Sequence, residues 1–253
     1  MNNAIPKVIH YCWFGGKPLP KSAQRCIASW RKFLPDYEIK EWNESNFDFN
    51  AIPYTHEAYE TKKYAFVSDY ARFKILYEHG GLYFDTDVEI IHPLDDIIER
   101  GPFMGCEQDA SGATAIAVAP GLGLGVNPGL ELYKEILDLY ATLHFKNADG
   151  TLNLKTVVLY TTEVLAKHGL SNKTDIQNVA GIWIYPKEYF NPIEMTGRHL
   201  SLTANTRSIH HYAATWQSPY RRMKKKIARL MGNKITMMII LIKNAFRKHG
   251  KSI

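Results

Sequence analysis

The chain has 253 residues, enough for one sizeable α/β domain with a full core. It carries 31 basic and 25 acidic residues, a net +6, yet eleven of the basic residues and no acidic one lie in residues 219–253, so the preceding 218 residues hold 20 basic against 25 acidic. Cys12, Cys26 and Cys106 are an odd number without paired spacing, which argues against a disulfide framework or a cysteine zinc site, and no run reaches the roughly 18 apolar residues that span a bilayer.

The opening MNNAIPKVIHYCWF lacks a basic leader followed by a long apolar core, so no secretion signal is expected and a cytoplasmic location is. Lys7 to Phe14 reads as a first strand running into Gly15-Gly16. A strand that ends in a glycine loop begins many nucleotide-binding α/β folds, with the ligand at the strand's carboxyl end. Gly-x-Gly-x-x-Gly is absent, so a dinucleotide reading has little support. Trp13 stands at the mouth of the loop, where an indole can stack on a nucleobase or serve the core.

Pro20 to Leu34 has an apolar stripe of Ala23, Cys26, Ile27, Trp30 and Phe33 and predicts an amphipathic helix. Tyr37 to Trp42 predicts a short second strand, and residues 45–64 show little period. Ala65 to His79 predicts a helix, with Phe66, Tyr70, Phe73, Leu76 and Tyr77 at helical spacing, stopped by Gly80-Gly81. Leu82 to Ile91 then predicts one strand, interrupted by Asp85 and Asp87. On an extended chain these two carboxylates point to the same side. In a dry place they repel, and a hard cation such as Mn²⁺ or Mg²⁺ resolves the conflict while leaving positions for phosphate oxygens. A solvated strand end or turn is the plainer reading of Asp-x-Asp alone. Asp69 and Arg72 lie one helical turn apart and project from one face towards that strand. Together they supply a cation and a carboxylate for a sugar phosphate, or merely a surface ion pair.

Beyond Pro93, Phe103 to Cys106 and Ala115 to Ala119 predict two short strands around a loop from Glu107 to Gly112. Pro120 to Gly129 is glycine-rich, allowing close backbone approach to a ligand, or is a mobile loop. Leu130 to His144 predicts a second amphipathic helix, Leu154 to His168 carries a run of threonines that suits acceptor contacts but takes no assigned role, and Gly181 to Phe190 predicts a late strand and turn. In Ser208 to Trp216, SIHHYAATW, adjacent His210 and His211 on a strand face opposite sides, so at most one readily serves a metal.

The stretch YAFVSDYARFKILYEHGGLYFDTDVEI resembles the DxD-bearing sugar-binding region of glycosyltransferase family 32 and, more distantly, the glucosyltransferase domains of clostridial toxins. Ser-Asp-x-x-Arg, Gly-Gly-x-Tyr and Asp-x-Asp at this spacing form a far more specific signal than Asp-x-Asp alone. The opening IPKVIHYCWFGG and the run YPKEYFNPIEMTGRHLSLTANTRSIHHYAATW are similar to the family's first strand and C-terminal signature, with Thr215 where Ser is common. The resemblance implies a GT-A type, Rossmann-like nucleotide-sugar-binding α/β domain over residues 1–218, with a basic helical tail over 219–253. It implies a metal-dependent, retaining hexosyltransferase in which Asp87 binds Mn²⁺ or Mg²⁺. Asp85 binds the metal through water or holds ribose or sugar, and His210, with His211 as runner-up, adds an imidazole ligand. Arg72 and Asp69 position the sugar, Tyr83 flanks the site, Trp13 stacks on the base, and Trp216 closes over the donor.

UDP-galactose or UDP-glucose is the expected donor, with GDP-mannose as the alternative, and a glycan or lipid-linked glycan of a growing surface polysaccharide such as capsule or lipopolysaccharide is the expected acceptor. The tail pairs Met223, Ile227, Leu230 and Met231 with flanking Lys and Arg, then runs into the apolar ITMMIILI. A basic amphipathic segment of this kind suits the anionic surface of the inner face of the plasma membrane. It carries no folded nucleic-acid motif. Two readings from other classes compete. A haloacid-dehalogenase-type phosphohydrolase also begins at Asp-x-Asp, but Glu89 stands where Thr or Val is expected. The other is a non-catalytic peripheral membrane or carbohydrate-binding protein.

Overall fold

Residues 8–12 and 81–84 alternate between two apolar environments, and that alternation dictates a sheet covered on both faces. In the computed structural model, which describes residues 4–112, 114–193 and 200–213, Ile9, Tyr11, Leu82 and Phe84 enter one core, while Cys12 and Tyr83 enter the other. The main sheet contains β1 (Val8–Cys12), β2 (Glu38–Trp42), β3 (Gly81–Tyr83), β5 (Phe103–Gln108), β6 (Ala117–Val118), β7 (Leu124–Val126), β8 (Gln177–Val179) and β9 (Ile182–Tyr185). Its order is β2-β1-β3-β7-β5-β9-β8, with β6 paired to β5. β2 and β3 run parallel to β1, so the carboxyl ends of all three open on one edge. β7 is antiparallel to both β3 and β5, and β9 is parallel to β5.

Helices α2 (Pro53–Glu60), α3 (Tyr64–His79), α5 (Glu131–Ala141) and α6 (Val157–Lys167) supply the first core, through Phe73, Leu76, Tyr133, Ile136, Tyr140 and Val164. Helices α1 (Lys21–Phe33), α4 (Asp95–Arg100) and α7 (Lys187–Phe190) cover the other face. α1 buries Ala23, Cys26, Ile27 and Trp30, the stripe its spacing predicts. The unassigned stretch 154–168 holds α6, a helix whose threonines mask its period, and α2 lies within the aperiodic stretch 45–64.

One expectation fails in an informative way. Leu82 to Ile91 is not one strand. After β3 the chain turns at residues 84–87, with the Val88 amide donating to the Asp85 carbonyl at 3.0 Å. It then enters β4 (Val88–Ile90), which leaves the main sheet and pairs antiparallel with β10 (Ser208–His210). Asp85 and Asp87 therefore occupy a turn between two sheets rather than one side of an extended chain. The apolar residues around them look continuous because Phe84 and Val88 both enter the same core. The second sheet is fastened to α1: Trp30 Nε1 donates to the Val88 carbonyl at 2.8 Å, and the Ile90 amide donates to Ser29 Oγ at 2.9 Å.

The chain divides into two compact units, and everything described so far belongs to the first, residues 1–192 and 202–212. The second comprises 193–201 and 213–253, where Ile193 and Leu200 form a bridge. Trp216, Thr215 and the predicted 219–253 tail lie outside the described residues. No helix among the described residues is long and apolar enough to cross a membrane.

Candidate active site

The site is built where α3 folds back into β3. Gly80 and Gly81 both have positive φ (63° and 96°), and a Cβ on Gly81 would lie 2.6 Å from the Val8 carbonyl. Glycine is required for both the turn and the close approach of β3 to β1. The reversal sets Asp69 and Arg72 of α3 beside Asp85. Arg72 Nη2 lies 3.0 Å from Asp69 Oδ1 and 3.2 Å from Asp85 Oδ1. Its Nε donates to the Ser68 carbonyl at 3.1 Å, and its guanidinium sits 5.1 Å from the Tyr83 ring centroid. Tyr83 donates its hydroxyl to Asp85 Oδ1 at 3.1 Å. Arg72 is 3% exposed, so this is not the surface ion pair of the plainer reading.

Burial drives the electrostatics. It pushes the Asp69 carboxyl up to about 7, against the pull of Arg72. Asp85 is raised by burial and by Asp87, with Arg72 opposing. For Arg72, burial opposes the charge, but Asp85, Tyr83 and Asp69 outweigh it, so the guanidinium stays charged.

The second half comes from 123 residues further along. β10 pairs His210 with Val88, and this register puts His210 Nε2 3.0 Å from Asp87 Oδ1. The His211 amide donates to the Asp87 carbonyl at 2.9 Å, while its ring faces Glu89 at 2.8 Å. The two histidines thus face opposite ways: His210 joins the aspartates and His211 does not. Burial lowers the His210 pKa, but the adjacent Asp87 carboxylate more than offsets this and the net shift is upward.

Asp85, Asp87 and His210 each offer a ligand atom within 4.8 Å of the others. Two carboxylates and an imidazole fit a divalent cation of the Mn²⁺ kind. The crowding of two carboxylates in a partly dry turn is the conflict such an ion resolves. Trp13 lies one residue beyond β1, half-buried, with Nε1 donating to the Lys17 carbonyl at 2.5 Å. Its ring packs against the core that holds Ile9 and Phe84.

Further residues that shape the site lie far along the chain from the aspartates. The Asp85 amide donates to the Gly121 carbonyl at 3.1 Å, and a Cβ on Gly121 would run into Asp85 Oδ2. The glycine-rich segment therefore brings backbone up to the aspartate itself. Glu107, read as the start of a loop, continues strand β5. Asn191 Nδ2 donates to the Glu107 carbonyl at 3.0 Å and to the Tyr212 hydroxyl at 2.7 Å. The Tyr212 ring packs edge-on against His210 at 4.2 Å.

A two-faced α/β domain that gathers Asp-x-Asp, a buried Arg and a His at the carboxyl edge of its parallel strands is a candidate for handling a phosphorylated sugar. Residues 20–104 match the family model for the glycosyltransferase sugar-binding region containing the DXD motif. The matched stretch includes Asp69, Arg72, Asp85 and Asp87, on which the resemblance to family 32 also rests. Over 99 residues, 38% of the chain, it is 33% identical to inositol phosphoceramide mannosyltransferase 3 of Schizosaccharomyces pombe. Over 109 residues, 39% of the chain, it is 31% identical to the uncharacterized glycosyltransferase L373 of Acanthamoeba polyphaga mimivirus. It spans only 28% and 42% of these relatives' lengths. Among solved structures, PaToxG glycosyltransferase aligns at a TM-score of 0.48 with 21% identity, over 64% of this chain and 69% of that one. The galactosyltransferase LgtC, with donor and acceptor sugar analogs, aligns at 0.42 with 11% identity, over 88% and 95%.

Proposed function

We propose that this protein is a metal-dependent retaining glycosyltransferase that moves a hexose from a nucleotide sugar to a glycan or lipid-linked glycan. The observation that carries the reading is the convergence of Asp85 and Asp87, beside the buried Asp69–Arg72 pair of the DXD sugar-binding region, with His210 from outside that region. Asp87 and His210 would hold a divalent cation, with Asp85 beside them. When bound, such a cation neutralises the charge that grows on a departing diphosphate. Arg72, fixed by Asp69 and Asp85, adds a permanent positive charge where an anionic donor enters. Asp69 and Tyr83 hold that arginine and line the sugar side, and Trp13 offers an indole face to the base.

Uracil stacking on Trp13 favours UDP-galactose or UDP-glucose. A mannosyl donor is the second reading, favoured by two partial relatives that are named mannosyltransferases. The basic 219–253 segment is proposed to hold the enzyme at the anionic inner face of the plasma membrane, near a lipid-linked surface glycan.

The test is release of sugar from a panel of nucleotide sugars, with Mn²⁺ and with chelator, on wild type and Asp87→Asn. Turnover of one donor, abolished by chelator and by the substitution, supports the reading and names the sugar. Absence of both turnover and nucleotide binding by calorimetry would overturn it.

A further inference from the structure

The loop after β1 is closed by its own indole: Trp13 Nε1 donates to the Lys17 carbonyl at 2.5 Å, across Gly15 and Gly16. The two glycines have φ of 99° and 64°. Glycine prefers no single backbone basin, so the shape of this loop, and with it the set of the indole, comes from what holds it. Three contacts do so. The Trp13 amide donates to the Trp42 carbonyl at 2.8 Å. The Gly15 amide donates to Glu44 Oε1, 29 residues along the chain, at 2.5 Å. Gly15 also rests on the Tyr64 ring so closely that a Cβ there would lie 2.5 Å from Tyr64 Cε2.

Glu44 is itself fixed. Tyr59 donates its hydroxyl to the same Oε1 at 3.1 Å. The Tyr59 ring stacks on Phe49 at 3.9 Å and packs on Tyr64 at 5.3 Å. Among the described residues Glu44 pairs with no Lys or Arg, so it is not spent on a surface ion pair; both of its bonds go to the loop and to the loop's support. Phe49, Tyr59 and Tyr64 come from the stretch 45–64, which shows little period in the sequence. In the fold that stretch underlies the glycine loop, and Tyr64 is also the first residue of α3, the helix that carries Asp69 and Arg72.

We propose that Glu44 is a positioning residue for the nucleoside end of the donor: by fixing Gly15 it sets the turn of the loop, and so the angle at which Trp13 meets the base. The inference rests on the stacking of Trp13 in the proposed function. It gives a role to a residue outside the Asp-x-Asp and His-His motifs.

The test is binding of UDP and of GDP in the presence of Mn²⁺, read by isothermal titration calorimetry on the full chain, with a melting temperature for each protein. Wild type is compared with Glu44→Gln, Glu44→Ala, Trp13→Leu and the Glu44→Ala/Trp13→Leu double variant. Glu44→Ala is expected to weaken binding of the nucleotide that wild type prefers by about 3- to 10-fold, because the loop must then be ordered on binding. Glu44→Gln is expected to bind like wild type, since its side-chain carbonyl still accepts from Gly15 and Tyr59. In the Trp13→Leu background Glu44→Ala is expected to have no further effect, because its route to the base is gone. Equal affinity in wild type and Glu44→Ala overturns the proposal while leaving the nucleotide site intact. A loss in Glu44→Gln as large as in Glu44→Ala overturns it too, because charge rather than the two hydrogen bonds would then carry the effect. So does an undiminished effect without Trp13, which makes Glu44 a direct nucleotide contact or a general structural support. If wild type binds neither UDP nor GDP, the nucleotide reading itself fails and this inference falls with it.

Discussion

Gly121 and Asp85 are in backbone-to-side-chain contact: the Gly121 carbonyl accepts the Asp85 amide, and its Cα hydrogen faces Asp85 Oδ2 where any Cβ would collide. Arg72 Nη1 stands 3.3 Å from the same imagined Cβ. Neither neighbour can yield freely, since Arg72 is buried and Asp85 is tied to it. Gly121→Ala is expected to cost about 1–3 kcal/mol of stability. Because it displaces the Asp85 carboxylate, sugar release from the proposed donor should fall by on the order of 10²-fold. Thermal melting and a turnover assay check the two parts. Full turnover in a destabilised variant would mean that the Asp85 position is not critical.

Arg72 lies between two carboxylates that are both raised by burial. Removing the guanidinium leaves those carboxylates facing each other without a counter-charge. Arg72→Met is expected to destabilise the fold by about 3–5 kcal/mol. Adding Asp69→Asn should recover part of that loss, because one buried charge is removed. Chemical denaturation of the single and double variants measures the recovery. No recovery would mean that the loss comes from packing of the arginine stem rather than from unpaired charge.

The helical parts of this site are legible in the sequence for a physical reason. Asp69 and Arg72 share a face because helical spacing fixes it, and the Gly80-Gly81 stop is local chemistry. The Asp85–Asp87 turn is legible only as the alternative to one continuous strand. Its flanking Phe84 and Val88 are apolar like strand residues, and only the departure of β4 to pair with β10 breaks the strand. Glu107 and Asn191 are invisible for a related reason: each acts through contacts made by chain segments far apart in sequence, and no local period records them. Gly121, by contrast, lies in the glycine-rich segment whose composition already signals a close backbone approach. An acidic residue continuing the apolar run Phe103 to Cys106 was the one available hint at Glu107.

Trp30 reaches 58 residues along the chain to donate to the Val88 carbonyl, and it is fully buried. Trp30→Phe keeps an aromatic ring but leaves that bond unmade. A loss of about 1–3 kcal/mol is expected from the orphaned acceptor. β4 carries the downstream end of the aspartate turn, so turnover should fall as well, though less than in Asp87→Asn, where the ligand itself is lost. Melting curves and donor hydrolysis on both variants provide the comparison. A Trp30→Phe protein as stable as wild type would show that Val88 finds another donor.

His10 supplies a pH dependence that does not involve the metal cluster. It is 2% exposed, and both of its ring nitrogens are engaged. Nδ1 accepts from Trp42 Nε1 at 3.0 Å, so Nε2 carries the proton and donates to the Gly80 carbonyl at 3.1 Å. Protonation of Nδ1 would break the Trp42 bond and bury a charge. Burial accordingly lowers the His10 pKa from 6.5 to about 4. Between these values the unfolded chain binds a proton that the folded chain refuses, so stability rises with pH across this window. His10 imposes no penalty above pH 6.5. On acidification through the window it is expected to remove up to about 3 kcal/mol, at roughly 1.4 kcal/mol per unit. His10→Gln should be less stable at pH 7.5, because glutamine cannot match both bonds, yet lose less stability than wild type on moving to pH 4.5. Urea unfolding at the two pH values measures both quantities. An identical pH slope in the two proteins would show that His10 is not the group that titrates.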